Sequence, residues 1–132
     1  MSLNSVNISK KEDLGFVCYE LREDDLVIVT ITDDLMIDLE KATLMDAALR
    51  RITEERPKKL FVQNGKYTSA TTEAREFLAS RAKLKQIEKC SVIIHSLSQR
   101  ILANFFIKVN KPPFPIRFFT SREAAEKWLF SE

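Results

Sequence analysis

The chain has 132 residues, 45% of them hydrophobic and 30% charged, with 2 glycines, 4 prolines and a formal net charge of +2. That length and balance point to one globular domain with its own core, and exclude a disordered, collagen-like or low-complexity polypeptide. No apolar run reaches the roughly 18 residues of a membrane helix, and the opening MSLNSVNISKKEDLG has no apolar signal segment, so a cytoplasmic protein with no membrane span is expected.

Residues 1–11 are expected to be a flexible N-terminus and residues 12–132 a single domain. GFVCYELRED (15–24) alternates apolar and polar residues as a half-buried strand does, and DDLVIVTITDD (24–34) is a denser β-branched run. Asp24-Asp25 between them predicts a turn, hence an antiparallel hairpin. From Asp38 the period changes: Ala42, Met45, Ala48, Leu49 and Ile52 form one helical stripe, with Asp38 as N-cap and Pro57 as the stop. KKLFVQN (58–64) is the next strand.

Ala74, Phe77, Leu78 and Ala82 mark a second helix, with Lys83 to Lys89 leading out of it. CSVIIHS (90–96) is the most apolar strand and is expected at the centre of the sheet. Ser96 and Gln99 have capping-box spacing for a third helix, apolar on most faces through Ile101, Leu102, Phe105, Phe106 and Val109, which Pro112-Pro113 must end. FPIRFF (114–119) is the last strand, and Thr120 with Glu123 is a capping box for a final helix that turns Trp128 and Leu129 inward. The order ββαβαβαβα predicts an α/β fold, a mixed and mostly parallel sheet flanked by helices, with the first hairpin as its antiparallel edge.

Residues 1–55 carry 13 acidic and 6 basic side chains, and residues 56–132 carry 6 and 15. In a compact domain the two halves are expected to interleave, so that opposite charges face each other or water. The basic stretch around Arg50, Arg51, Arg56, Lys58 and Lys59 lacks aromatics for base stacking, and nucleic acid is not expected as a partner. Cys18 and Cys90 read as buried free thiols. With one histidine in the chain there is no material for a metal site, and no cofactor is expected.

A site is expected where loops leave the carboxyl ends of the strands: Thr32–Asp38, Asn64–Thr72, His95–Ser98 and Phe119–Ser121. Thr68, Ser69, Thr71, Thr72, Ser96, Ser98, Thr120 and Ser121 gather there, at helix starts that favour anions but also need caps. The second helix has more hydroxyls than its cap requires, with Lys66, Tyr67 and Arg75 nearby. Leu35, Met36 and Ile37 lie in an expected loop, where they can form a docking patch, a lid over an apolar cavity, or a staple under the first helix. Phe105 and Phe106 on adjacent faces mark either an apolar pocket or a packing or dimer face. No catalytic motif is present. Enzyme chemistry at His95 requires a serine and an oriented carboxylate within reach, and Asp33-Asp34 read as solvated turn residues.

The run NFFIKVNKPPFPIRFFTSREAAEKWL (104–129), together with TTEAREFLAS (71–80), resembles small bacterial STAS proteins of the SpoIIAA-like group. That resemblance implies a SpoIIAA-like fold and a non-enzymatic protein-interaction module, anti-sigma antagonist-like, controlled by phosphorylation where a strand opens into a helix. Laid over that motif, Thr71 and Thr72 are the phosphoacceptor positions, but Ala-Thr-Thr-Glu-Ala stands where aspartate, serines and glycine are usual, so the switch is degenerate or absent. Two functional classes follow. One is a regulatory protein-interaction module whose surface is Leu35, Met36, Ile37, Lys66, Tyr67, Ser69, Thr71, Thr72 and Arg75. Its partner is an unidentified protein, or a second copy forming a homodimer through Phe105 and Phe106. The other is a binder of a small apolar molecule or lipid, which requires a cavity beside the third helix.

Overall fold

A computed structural model describes residues 6–81 and 87–131 of the chain. A six-stranded sheet runs β1 (Ile8–Asp13), β2 (Val17–Arg22), β3 (Leu26–Ile31), β5 (Lys58–Gln63), β7 (Ile87–Ile93) and β8 (Ile116–Phe119), in that spatial order. β1, β2 and β3 pair antiparallel; β3, β5, β7 and β8 pair parallel, each joined to the next through a helix. The helices are α1 (Leu39–Thr53), α2 (Thr72–Arg81), α3 (Leu97–Phe105), which runs on into a π-helical turn (Phe106–Asn110), and α4 (Arg122–Leu129). A separate parallel pair joins β4 (Met36–Ile37) to β6 (Ser69–Ala70). This is the mixed α/β architecture the sequence predicts. Among the described residues no helix is long and apolar enough to cross a membrane.

The two-residue period of the strands sorts side chains between two cores. Val17, Tyr19, Leu21, Val27, Val29, Leu60, Cys90 and Val92 point to the face covered by α1, where Ala42, Met45, Ala48, Leu49 and Ile52 meet them. Leu26, Ile28, Phe61 and Ile93 point to the opposite face, closed by Ala125 and Leu129 of α4. The caps are local chemistry. Asp38 accepts from Lys41 N at 2.9 Å, and Thr71 accepts from Ala74 N at 3.1 Å. The hairpin turn is held by Asp25 in the left-handed region, φ 69°, with its N–H donating to Arg22 O at 3.0 Å.

Several expectations are corrected. Residues 8–11, assigned to a flexible tail, belong to the edge strand β1 and pair with β2. β7 is interior but not central; the middle of the sheet is β3 and β5. The last helix is capped one residue later than expected, by Ser121 accepting from Ala124 N at 3.3 Å. Ser96 caps α3, accepting from Gln99 N at 3.1 Å, but the Gln99 side chain does not return to Ser96 as a capping box requires. The expected exit of the second helix, over residues 82–86, lies outside the described residues.

The charge halves do not interleave, because strand order follows chain order. The acidic half builds β1 to β3 and α1 at one side of the sheet, and the basic half builds β5 to β8 at the other. Arg56–Glu54 and Lys58–Asp25 join the two halves, at 3.0 and 2.9 Å.

Candidate functional site

The loops after β3 and β5 are bound to one another along their length. Asp34 N donates to Lys66 O at 2.8 Å, Lys66 N to Asp33 Oδ1 at 2.8 Å, and Thr68 Oγ1 to Thr32 O at 2.6 Å. Ser69 N then donates to Leu35 O and Thr71 N to Ile37 O, both at 2.9 Å, which zips β4 to β6. Gly65 permits this approach: a Cβ there would stand 2.2 Å from Thr32 O and 2.7 Å from Asp33 N. A third loop is clasped to the same rim. Buried Gln99 accepts from His95 N at 2.7 Å through Oε1 and donates through Nε2 to Gly65 O at 2.8 Å and Thr68 O at 3.1 Å. His95 Nε2 donates to Asn64 O at 2.7 Å. The histidine thus ties two loops together, and its ring is directed at a carbonyl rather than at a serine.

The segment Leu35–Ile37 divides its side chains. Ile37 is buried in the main core, one residue before the Asp38 cap, with Ala42 in the same cluster, as a hydrophobic staple places them. Leu35 packs partly against that core, while Met36 is 54% exposed. Tyr67, at φ 61°, is 77% exposed at the tip of the neighbouring loop, beside exposed Lys66.

The surplus hydroxyls have partners. Ser69 Oγ donates to Met36 Sδ at 3.4 Å, Thr71 Oγ1 caps α2, and exposed Thr72 Oγ1 accepts from Arg75 Nη2 at 3.1 Å. Of the two phosphoacceptor positions, Thr71 is half-buried and engaged as a cap; Thr72 faces water.

Beneath this rim α3 and the π turn that continues it border a cavity of about 250 Å³. Val29, Leu60, Val62 and Val92 of the strands form its floor, and Met45, Leu49, Leu78, Leu102 and Phe106 of the helices its walls. Ala103 and Ala70 leave room where larger side chains would fill it. Phe105 and Phe106 do lie on adjacent faces: Phe106 lines the cavity, and Phe105 is outside at 43% exposure.

Polar groups sit at the edge of this space. Arg75 donates through Nη1 to Ala70 O at 2.5 Å, and its guanidinium lies 5.3 Å from the Phe105 ring centre. Its Nε is buried with no hydrogen-bond partner. Tyr19 OH donates to Met45 O at 3.2 Å, and burial, reinforced by the Asp46 and Glu12 charges, pushes its pKa up. Burial alone pushes the Cys90 thiol up to about 12, so it is an inert part of the wall. Among the described residues no three His, Cys, Asp or Glu side chains gather as a metal site would need. A half-open apolar space with Arg75 at its edge, and Asp46 there already paired with Arg50 at 2.9 Å, can hold an apolar group and orient a negative one toward the arginine.

Sequence reasoning found both loops but missed Gly65 and Gln99 as the residues that lock them. A lone glycine after a strand was the available signal; Gln99, between Ser98 and Arg100 in the first turn of α3, does not stand out in the sequence. The volume of the cavity has no sequence signal, since apolar residues read alike whether or not they meet.

A family model described as a domain of unknown function, DUF7793, matches residues 19–131. No curated protein matches the chain. The fold is similar to that in the crystal structure of an uncharacterised protein of the DUF3478 family from Shewanella loihica PV-4, described as having a SpoIIAA-like fold. The TM-score is 0.53 at 19% sequence identity, over 98% of each chain.

Proposed function

The chain belongs to the DUF7793 family of domains of unknown function, and we propose that it is a non-enzymatic, STAS-like binding module whose cavity takes a small apolar ligand with an anionic head. The observation that carries this reading is the apolar cavity of about 250 Å³ under α3. It exceeds the ~150 Å³ apolar cavity that stays dry and binds benzene, and approaches the roughly 300 Å³ at which ordinary ligand pockets begin. A compact occupant fits it, such as a short acyl chain or an aromatic ring.

Arg75 supplies the head-group preference. Its buried, unpartnered Nε is a charged donor whose lost hydration a carboxylate or phosphate oxygen would offset. Nothing in this chemistry requires a reaction, and His95 is engaged with a carbonyl. A cytoplasmic location belongs to the same reading, supported by two free cysteines.

The test is a calorimetric titration with decanoate. Saturable binding at one site per chain is expected, weakened about 10-fold or more in Arg75→Ala, as loss of a charged hydrogen bond implies. Absence of saturable binding would refute it.

A second reading, docking of a protein partner on the rim, is supported by the outward Met36 and Tyr67 on a locked loop pair, with Thr72 as the accessible phosphoacceptor. A photo-cross-linker at position 67 should then trap one discrete adduct in the source cell. A uniform smear, or no adduct, counts against it.

A further inference from the structure

We infer that the outward face of α3 and its π turn docks on an anionic bilayer surface, where the cavity behind it exchanges its ligand; the exchange rests on the cavity reading, the docking does not. Leu97, Ile101, Phe105 and Val109 recur every four residues and so follow one side of the helix. They are 71%, 62%, 43% and 57% exposed. The opposite side carries Gln99, Leu102, Ala103 and Phe106, all facing the cavity. The helix therefore has two apolar faces: the inner one is matched by the protein, and the outer one, apart from the Arg75 guanidinium beside Phe105, faces water.

Charge decides the occupant of the outer face. Residues 89–122 contain no Asp or Glu, while Arg100, Lys108 and Lys111 stand exposed beside the stripe. None of the three is paired with a carboxylate among the described residues. An interfacial helix combines these features, with an apolar stripe to enter the acyl boundary and cations to meet anionic head groups. The acidic half of the chain lies at the other side of the sheet, so the molecular dipole turns α3 toward a negative surface. A second copy is the poorer match. A two-fold interface on this stripe would bring two sets of the same three cations together. The π turn sits where the helix leaves the cavity wall, and such turns loosen the helical ladder.

The test floats the full chain with vesicles of phosphatidylcholine, with and without phosphatidylglycerol, at low and high salt. Binding is expected to the anionic vesicles, reduced by salt. Ile101→Asp should abolish it, and Lys108→Ser with Lys111→Ser should weaken it about 10- to 30-fold, at roughly 5-fold per cation. None of these residues lines the cavity, so both variants should keep the wild-type melting temperature and wild-type decanoate titration in vesicle-free buffer. Lost flotation in the variants with intact titration supports the docking. Flotation with failed titration sinks the cavity reading and leaves docking supported. Three results overturn the proposal: no flotation of the wild type, equal flotation with neutral vesicles, or a wild-type dimer in solution that Ile101→Asp makes monomeric.

Discussion

Ala103→Leu puts the cavity to a test of sign. Ala103 is buried on the inner side of α3 and faces the open space. Leucine adds three carbons, and at about 0.8 kcal/mol per buried methylene the gain is up to about 2.4 kcal/mol if they enter empty space. At about 4 °C per kcal/mol for a chain of this size, the melting temperature should rise by up to about 10 °C. In a core already filled, the same carbons would overpack and cost about 1–3 kcal/mol, lowering the melting temperature. Ligand occupancy should itself stabilise the fold, because a ligand that binds only the folded chain shifts the unfolding equilibrium toward it. The assay is calorimetry of both proteins with and without decanoate. The wild type should gain melting temperature with decanoate, and the variant should start higher and gain little. A variant that melts several degrees lower and still responds to decanoate refutes the reasoning.

Gly65→Ala should cost at least about 2 kcal/mol in urea unfolding, because its Cβ meets the immovable Thr32 carbonyl at 2.2 Å; a neutral result would mean that the two loops part easily. Asp24→Asn should cost about 1–2 kcal/mol at pH 7. It leaves fully buried Arg22 with a neutral amide and one acceptor oxygen in place of the carboxylate, and the figure stays below the roughly 3–5 of a buried pair because Asp24 faces water. The Arg22 hydrogen bonds hold the Asp24 carboxyl below its ordinary pKa. Its stabilisation is therefore complete above the ordinary carboxylate value and lost as pH falls through the folded one. Acid titrations of stability should show the variant flatter in that window, and identical acid limbs would contradict the pairing. A disulfide-exchange reagent at pH 8 should modify Cys18 in the folded protein and Cys90 only on unfolding, and fast reaction of both would contradict the buried wall.

What the sequence disclosed was what short-range chemistry decides. The β2–β3 hairpin followed from alternation and two aspartates, and α1 from its stripe, its Asp38 cap and Pro57. The last strand and helix were legible too, although Thr120 and Ser121 are both competent caps and only the backbone path chose the latter. β1 was not legible, because ISKKED is polar, unalternating and held by an edge pairing. The rim loops were named for their hydroxyls, whereas the structure holds them by backbone pairing, by Gly65 and by Gln99. The expectation that charges interleave failed because it depends on strand order, which no local pattern encodes. The cavity is a difference between the volume that helices and strands enclose and the volume that their side chains fill, and that difference exists only in three dimensions.

Methyl NMR of isotope-labelled protein during a decanoate titration tests the cavity most directly. Resonances of Ile37, Leu78, Ile94 and Leu102, which line the space, should shift together and saturate at one ligand per chain, while those of exposed Leu44 and Leu39 stay still. Shifts confined to Leu97 and Ile101 on the outer face of α3, or no saturable shift at any lining methyl, would contradict a ligand-binding interior.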